Sequence, residues 1–184
     1  TNNLTLNPLM ITFEGKPIST LTTRTVYNDL ISLTYGDATY PPKITKYPEI
    51  DLNTNWSTHY IVAQTIPLDT KTREFQYRFL QDIIVNNYWL KKWNIRENDD
   101  CTFCQEAPET IIHLFWQCRY VKSFWNYFSA TYGNKINRTI NLSVIFFPCN
   151  DPLFYTLVLL AKRYIYECRL ENKLPFLDIY NRKV

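Results

Sequence analysis

The chain has 184 residues, 46% of them apolar and 16% aromatic, with a formal net charge of +3; this length suits one compact domain or two small lobes sharing a core. Fourteen Tyr, eleven Phe and five Trp stand against only three Gly, which argues against a many-turned β-sandwich or barrel. Gly15, Gly36 and Gly133 lie far apart, which excludes a glycine-rich phosphate loop. The mild basic excess is compatible with nucleic acid but does not demand it.

Residues 1–20 read as irregular with a short hairpin: 9–13 has strand composition and Glu14-Gly15-Lys16-Pro17 forms a turn. A helix is predicted from Thr22, with Val26, Tyr27, Leu30 and Ile31 on its apolar face and Gly36 stopping it. Residues 37–52, with Pro41, Pro42 and Pro48, read as an extended linker. Thr54 can cap a short helix that ends before Pro67; His59 reads as a surface residue of it.

A helix over about 70–85 follows, capped by Asp69 and striped by Phe75, Phe79, Leu80, Ile83 and Ile84. A short helix over 88–93 turns Trp89, Leu90 and Trp93 inward and leaves Lys91, Lys92 and Arg96 outside. Next comes Cys101-Thr-Phe-Cys104…His113…Cys118, a C-x2-C-x8-H-x4-C pattern. Three thiolates and one imidazole suffice for a tetrahedral zinc site, and four protein ligands leave no open position, so a structural Zn2+ is expected. C-x2-C alone also serves redox chemistry, but that pair opens a helix after a strand, whereas a polar Asn-Asp-Asp run precedes this one. Asp99 and Asp100 have no third carboxylate to make a phosphoryl-transfer metal site, and read as ending a helix or as accepting hydrogen bonds near the clip.

Pro108 fits a helical first turn, with Glu109 at the positive end of the dipole and His113 further along. Five residues advance an α-helix by about 500°, leaving His113 and Cys118 about 140° apart; a break near Gln117 is therefore predicted. A helix over about 119–132 carries Val121, Phe124, Trp125, Phe128 and Tyr132 and ends at Gly133. After a connection with an apolar piece at 144–147, Asp151 and Pro152 start a last long helix to about residue 172. Its predicted buried stripe is Leu153, Leu157, Leu160, Ala161, Tyr164 and Cys168; Lys162, Arg163 and Arg169 are placed outside. Cys149 and Cys168 read as small buried hydrophobes. Pro175 ends the helix and a turn around 176–180 closes the chain.

The fold class expected is all-α: a helical bundle with an embedded CCHC knuckle-like clip and a minor N-terminal hairpin, divided as 1–68 and 69–184 within one unit. No cationic start with an apolar core opens the chain, and the longest apolar run, 153–161, is far short of the roughly 20 residues a bilayer requires. No membrane partner is expected, and the cysteine pattern points to a reducing, intracellular setting, cytoplasmic and nuclear. Lys91, Lys92, Arg96, Arg119 and Lys122 flank the clip, and Phe103 sits between its first two cysteines; zinc knuckles offer such cations to phosphates and such rings to unpaired bases, and Phe103 is placed equally to stack, if exposed, or to pack over the metal.

Phe75-Gln-Tyr-Arg-Phe-Leu80, Leu90-Lys-Lys-Trp93, the two cysteines, Glu109-Thr-Ile-Ile-His-Leu-Phe-Trp116, Cys118 and Phe124-Trp125 together resemble the zinc-binding domain of reverse transcriptases. That domain lies near the C-terminal end of the polyprotein of non-LTR (LINE-type) retrotransposons. The resemblance is specific over about 70–126. It implies Cys101, Cys104, His113 and Cys118 as metal ligands, RNA or DNA and the polymerase core of the same polyprotein as partners, and a role in target-primed reverse transcription. No polymerase or endonuclease motif is present, so this chain is expected to catalyse nothing. The alternative is a zinc-stapled helical scaffold that binds protein rather than nucleic acid.

Overall fold

The computed structural model describes residues 12–13, 16–17, 22, 47, 66–134, 138–147 and 151–183. The chain divides into two compact units, Thr1–Tyr40 and Pro41–Val184. In the first, Thr12–Phe13 (β1) pairs antiparallel with Lys16–Pro17 (β2), Phe13 opposite Lys16. The remainder of the expected hairpin, the two helices expected before residue 66, His59 and Cys149 lie outside the described residues.

The described part of the second unit is helical: α1 (Thr70–Leu80), α2 (Asn87–Lys92), a π turn (His113–Gln117), α3 (Arg119–Phe128) running on as a second π turn (Ser129–Gly133), α4 (Leu142–Phe146), α5 (Pro152–Leu170) and α6 (Leu177–Lys183). The all-α expectation holds there. Side chains satisfy the free amides at the N-termini. Asp69 accepts from the Thr72 amide at 3.0 Å, Asn86 from Trp89 at 3.1 Å, Asn141 from Val144 at 2.9 Å and Asp151 from Phe154 at 3.0 Å.

With so few glycines, three of the helices close on other residues. Asp82, Asn94 and Asn172 adopt left-handed φ of 52°, 57° and 52°. The amides that follow them bond back to Arg78, Leu90 and Cys168 at 3.0, 2.9 and 2.9 Å, closing each helix in the manner usually given to glycine. Asp82 thus ends α1 short of the expected residue 85, and the Tyr47 hydroxyl donates to its carboxylate at 3.1 Å. Ile83, expected on the buried stripe, lies past this turn and is exposed.

Helix α5 is the spine. It packs against both α1 and α4, while α3 packs against α6. Two neighbours bury more than one stripe, so the single predicted face is corrected: Phe154, Tyr155, Val158, Leu159 and Ile165 join Ala161, Tyr164 and Cys168 inside, and Leu153 is 68% exposed. Lys162 and Arg169, predicted outside, are buried. Phe79 sits edge-on to Phe115 at 4.9 Å and near Phe146 at 4.8 Å. A second aromatic group joins Phe124, Phe128, Tyr164 and Tyr180 at 5.7–6.1 Å. Tyr180 belongs to a two-turn helix rather than a closing turn, and its hydroxyl donates to the Leu157 carbonyl at 2.8 Å.

Candidate metal centre

A tight loop delivers the first two cysteines. Asp100 pairs antiparallel with Pro108, the Cys101 amide donates to Ala107 at 2.8 Å, and the Glu109 amide donates to Asp99 at 2.7 Å. Gln105, at φ 57°, turns the chain, and its amide bonds to Cys101 at 2.9 Å. Pro108, expected in the first turn of a helix with Glu109 beside it, is instead part of this loop. The helix begins at Ile111, with the Thr110 hydroxyl accepting from the His113 amide at 3.1 Å. Asp99 and Asp100 act as acceptors beside the clip: the Asp99 carboxylate also takes Lys91 Nζ at 2.8 Å.

The other two donors come from the predicted distortion. His113–Gln117 is a π turn, and the Cys118 amide bonds to the His113 carbonyl at 2.8 Å, five residues back. A widened turn brings residues five apart onto one side, removing the separation an α-helix would impose. Cys118 then leaves the helix at φ −58°, ψ 130° and serves as the N-cap position of α3. The break frees the Phe115 carbonyl, which accepts the Trp125 indole N–H at 2.8 Å in the core.

The ligand atoms of Cys101, Cys104, His113 and Cys118 all lie within 4.8 Å of one another, and the residues are buried or nearly so. Cys101 and Cys118 sulfurs are 3.9 Å apart, and Cys104 Sγ is 3.3 Å from His113 Nε2. Tetrahedral zinc with S at ~2.3 Å and N at ~2.0 Å sets such edges at about 3.5–3.8 Å. A disulfide would need the sulfurs at about 2.05 Å. The Cys101 thiol donates to Cys118; that bond, more than any other influence, holds the Cys118 thiol well below its ordinary range and pushes Cys101 well up. Two sulfurs sharing one proton in a buried pocket form a site in which a cation can replace that proton. The donor set fits zinc.

A second cluster, unseen in the sequence, anchors the loop. The Glu109 carboxylate is wholly buried. It accepts from the amides of Thr102 at 2.6 Å and Asn87 at 2.9 Å, and from Arg169 Nε at 2.9 Å. Asn87 Nδ2 donates to the Asp100 carbonyl at 2.6 Å, and its Oδ1 accepts from Arg169 at 2.8 Å and from Arg96. Thus α2, the cysteine loop and the C-terminal part of α5 are bonded into one unit. Both oxygens of the carboxylate accept hydrogen bonds and a guanidinium faces it, the condition under which a buried charge is tolerated.

The predicted cations do not form one uninterrupted basic face. Lys91 pairs with Asp99, Arg119 with Glu106 at 2.6 Å, and Arg96 with the Asn87 amide. Lys92 lies over the Trp89 ring at 4.8 Å, and Lys122 is exposed. Phe103 is only 8% exposed, so it has no free face for a base; it belongs to the core. Trp93, expected inward, is the C-cap of α2 and is 51% exposed.

A buried, closed Cys3His cluster stapling helices defines this as a helical zinc-binding module. Residues 46–125 match the family described as zinc-binding in reverse transcriptase. The matched segment holds all four donors and Glu109, while Arg169 and the rest of α5 fall outside it. The module is associated with reverse transcriptase on that match. Neither the curated proteins nor the solved structures contain a match to the chain. Among the described residues, no helix is long and apolar enough to cross a membrane.

Proposed function

We propose that this is the non-catalytic, nucleic-acid-binding module of a retrotransposon reverse transcriptase, one that helps the polymerase hold template RNA or target DNA during target-primed reverse transcription. The metal does no chemistry in this reading, because four protein donors close its coordination. The observation that carries the reading is the position of the cations relative to the clip. Lys91, Lys92 and Arg96 lie on α2 and the turn after it, bonded to the cysteine loop through Asn87, and Arg119 and Lys122 begin α3 immediately after the last ligand. The exposed pairs Lys91–Asp99 and Arg119–Glu106 are worth about 0–1 kcal/mol each, so an arriving phosphate can take their place.

The competing reading is a scaffold that docks on protein. It is favoured by that same pairing and by the exposed apolar side chains Ile83, Val85 and Ile95. Binding of single-stranded RNA and of duplex DNA, followed across a salt series, separates the two. Each phosphate contact contributes roughly 0.7–0.9 to the logarithmic salt slope. Replacing Lys91, Lys92 and Arg119 by Ala should flatten the slope by about 2–3 and weaken binding. No binding by the intact protein, or binding indifferent to salt and to these changes, leaves the scaffold.

A further inference from the structure

We infer that α2 carries a base-stacking ledge for single-stranded nucleic acid, centred on Trp93 and backed by Trp89; the inference rests on the nucleic-acid reading above. The two indoles are stacked, centroids 5.9 Å apart and planes 25° from parallel. Trp89 is half-buried and fixed, with Tyr88 edge-on at 5.5 Å. Trp93 is therefore held by a ring on one side while half its surface meets solvent. Trp93 is the C-cap residue of α2, within a run over 91–98 that is exposed throughout, and its neighbour Trp89 positions it there.

Charge decides the occupant. Lys92 Nζ sits over the Trp89 ring and has no ion pair among the described residues. Arg96, one turn further, bonds to the neutral Asn87 amide and not to a carboxylate. A purely apolar partner covering Trp93 would drive Lys92 out of water without a counter-ion, which is costly. A nucleic-acid strand supplies both halves at once: a base for the indole face and a phosphate for the ammonium. A duplex keeps its bases stacked on one another and offers the ring none, so the ledge selects unpaired strands. Phe103, the ring that the sequence offered for this task, is buried; Trp93 takes its place.

The test uses the whole chain with oligo(U), oligo(dT) and a blunt duplex. Trp93→Ala should weaken both oligomers about 5- to 100-fold, Trp93→Phe should retain most of the affinity, and neither should alter duplex binding or zinc content. Quenching of indole fluorescence by oligo(U) should be largely lost in Trp93→Phe. If Trp93→Ala binds the oligomers like wild type while the Lys91/Lys92/Arg119 variant is weakened, the ledge is wrong and the nucleic-acid reading stands. Equal loss on duplex and single strands also overturns the ledge. Binding to the duplex alone overturns the ledge and leaves the nucleic-acid reading; if the intact protein binds neither oligomer nor duplex, both fall together.

Discussion

Glu109 and Arg169 form a buried ion pair, Nε to Oε1 2.9 Å, across sixty positions of sequence. Glu109 lies five residues after Cys104, and Arg169 lies in the last turn of the long helix. The metal loop is thereby fastened to a helix outside the segment that matches the reverse-transcriptase zinc family. Removing one partner of such a pair leaves a buried charge uncompensated and costs about 3–5 kcal/mol. Arg169→Met should lower the unfolding free energy by that amount, seen as a lower denaturant midpoint, and speed zinc loss to a chelator. A variant that unfolds and holds zinc like wild type would mean the pair is incidental.

Much of this architecture was readable in the chain. The C-x2-C-x8-H-x4-C spacing names the donors, and the angle between residues five apart on an α-helix requires the break observed after His113. Asp69 and Asp151 cap where their side chains predict. What was hidden shares one cause. Periodicity assigns a charged residue on an amphipathic helix to water, and only a partner distant in sequence reverses that assignment. Arg169 has Glu109, and Lys162 has Gln76. Trp93 shows the same fault in the other direction, an aromatic read as core because of its type.

Lys162 is a fully buried lysine with no carboxylate partner among the described residues. Its Nζ donates to Gln76 Oε1 at 2.6 Å and lies 4.3 Å above the Phe79 ring, while Gln76 Nε2 has no partner. Burial pulls its pKa well below that of an ordinary lysine. The unfolded chain thus binds a proton more readily than the folded one, so this group reduces stability at neutral pH. The penalty fades as pH rises toward the unfolded value near 10.5. Lys162→Met combined with Gln76→Met should be at least as stable as wild type at pH 7, because both polar partners go together. The advantage should shrink at alkaline pH, measured by urea unfolding in buffers of rising pH. An advantage that stays constant would show that Lys162 is not carrying this penalty.

Gly133 is fixed by contact. A Cβ there would lie 2.5 Å from the Arg138 carbonyl oxygen and 3.1 Å from Ser129 Oγ, and the Arg138 amide bonds to the Gly133 carbonyl at 2.9 Å. Gly133→Ala must push the two backbones apart and should cost about 1–3 kcal/mol, seen as a lowered Tm with zinc content unchanged.

The Trp125 indole occupies the carbonyl released by the π turn. Trp125→Phe keeps most of the ring volume but orphans the Phe115 oxygen in the core, at a cost of about 1–3 kcal/mol. Amide exchange should accelerate first in 111–118. Exchange unchanged in that segment would detach the indole from the geometry of the clip.

Cys101, Cys104, His113 and Cys118, with donor atoms within 4.8 Å of one another, are expected to close one zinc site. Zinc content combined with X-ray absorption at the zinc edge tests it most directly. The expected result is one zinc per chain, with three sulfurs at about 2.3 Å, one nitrogen at about 2.0 Å and no oxygen in the shell; Cys104→Ser should lose the metal and the order of the cysteine loop. A fully folded protein holding far less than one zinc per chain, or a shell containing bound water, would contradict the account.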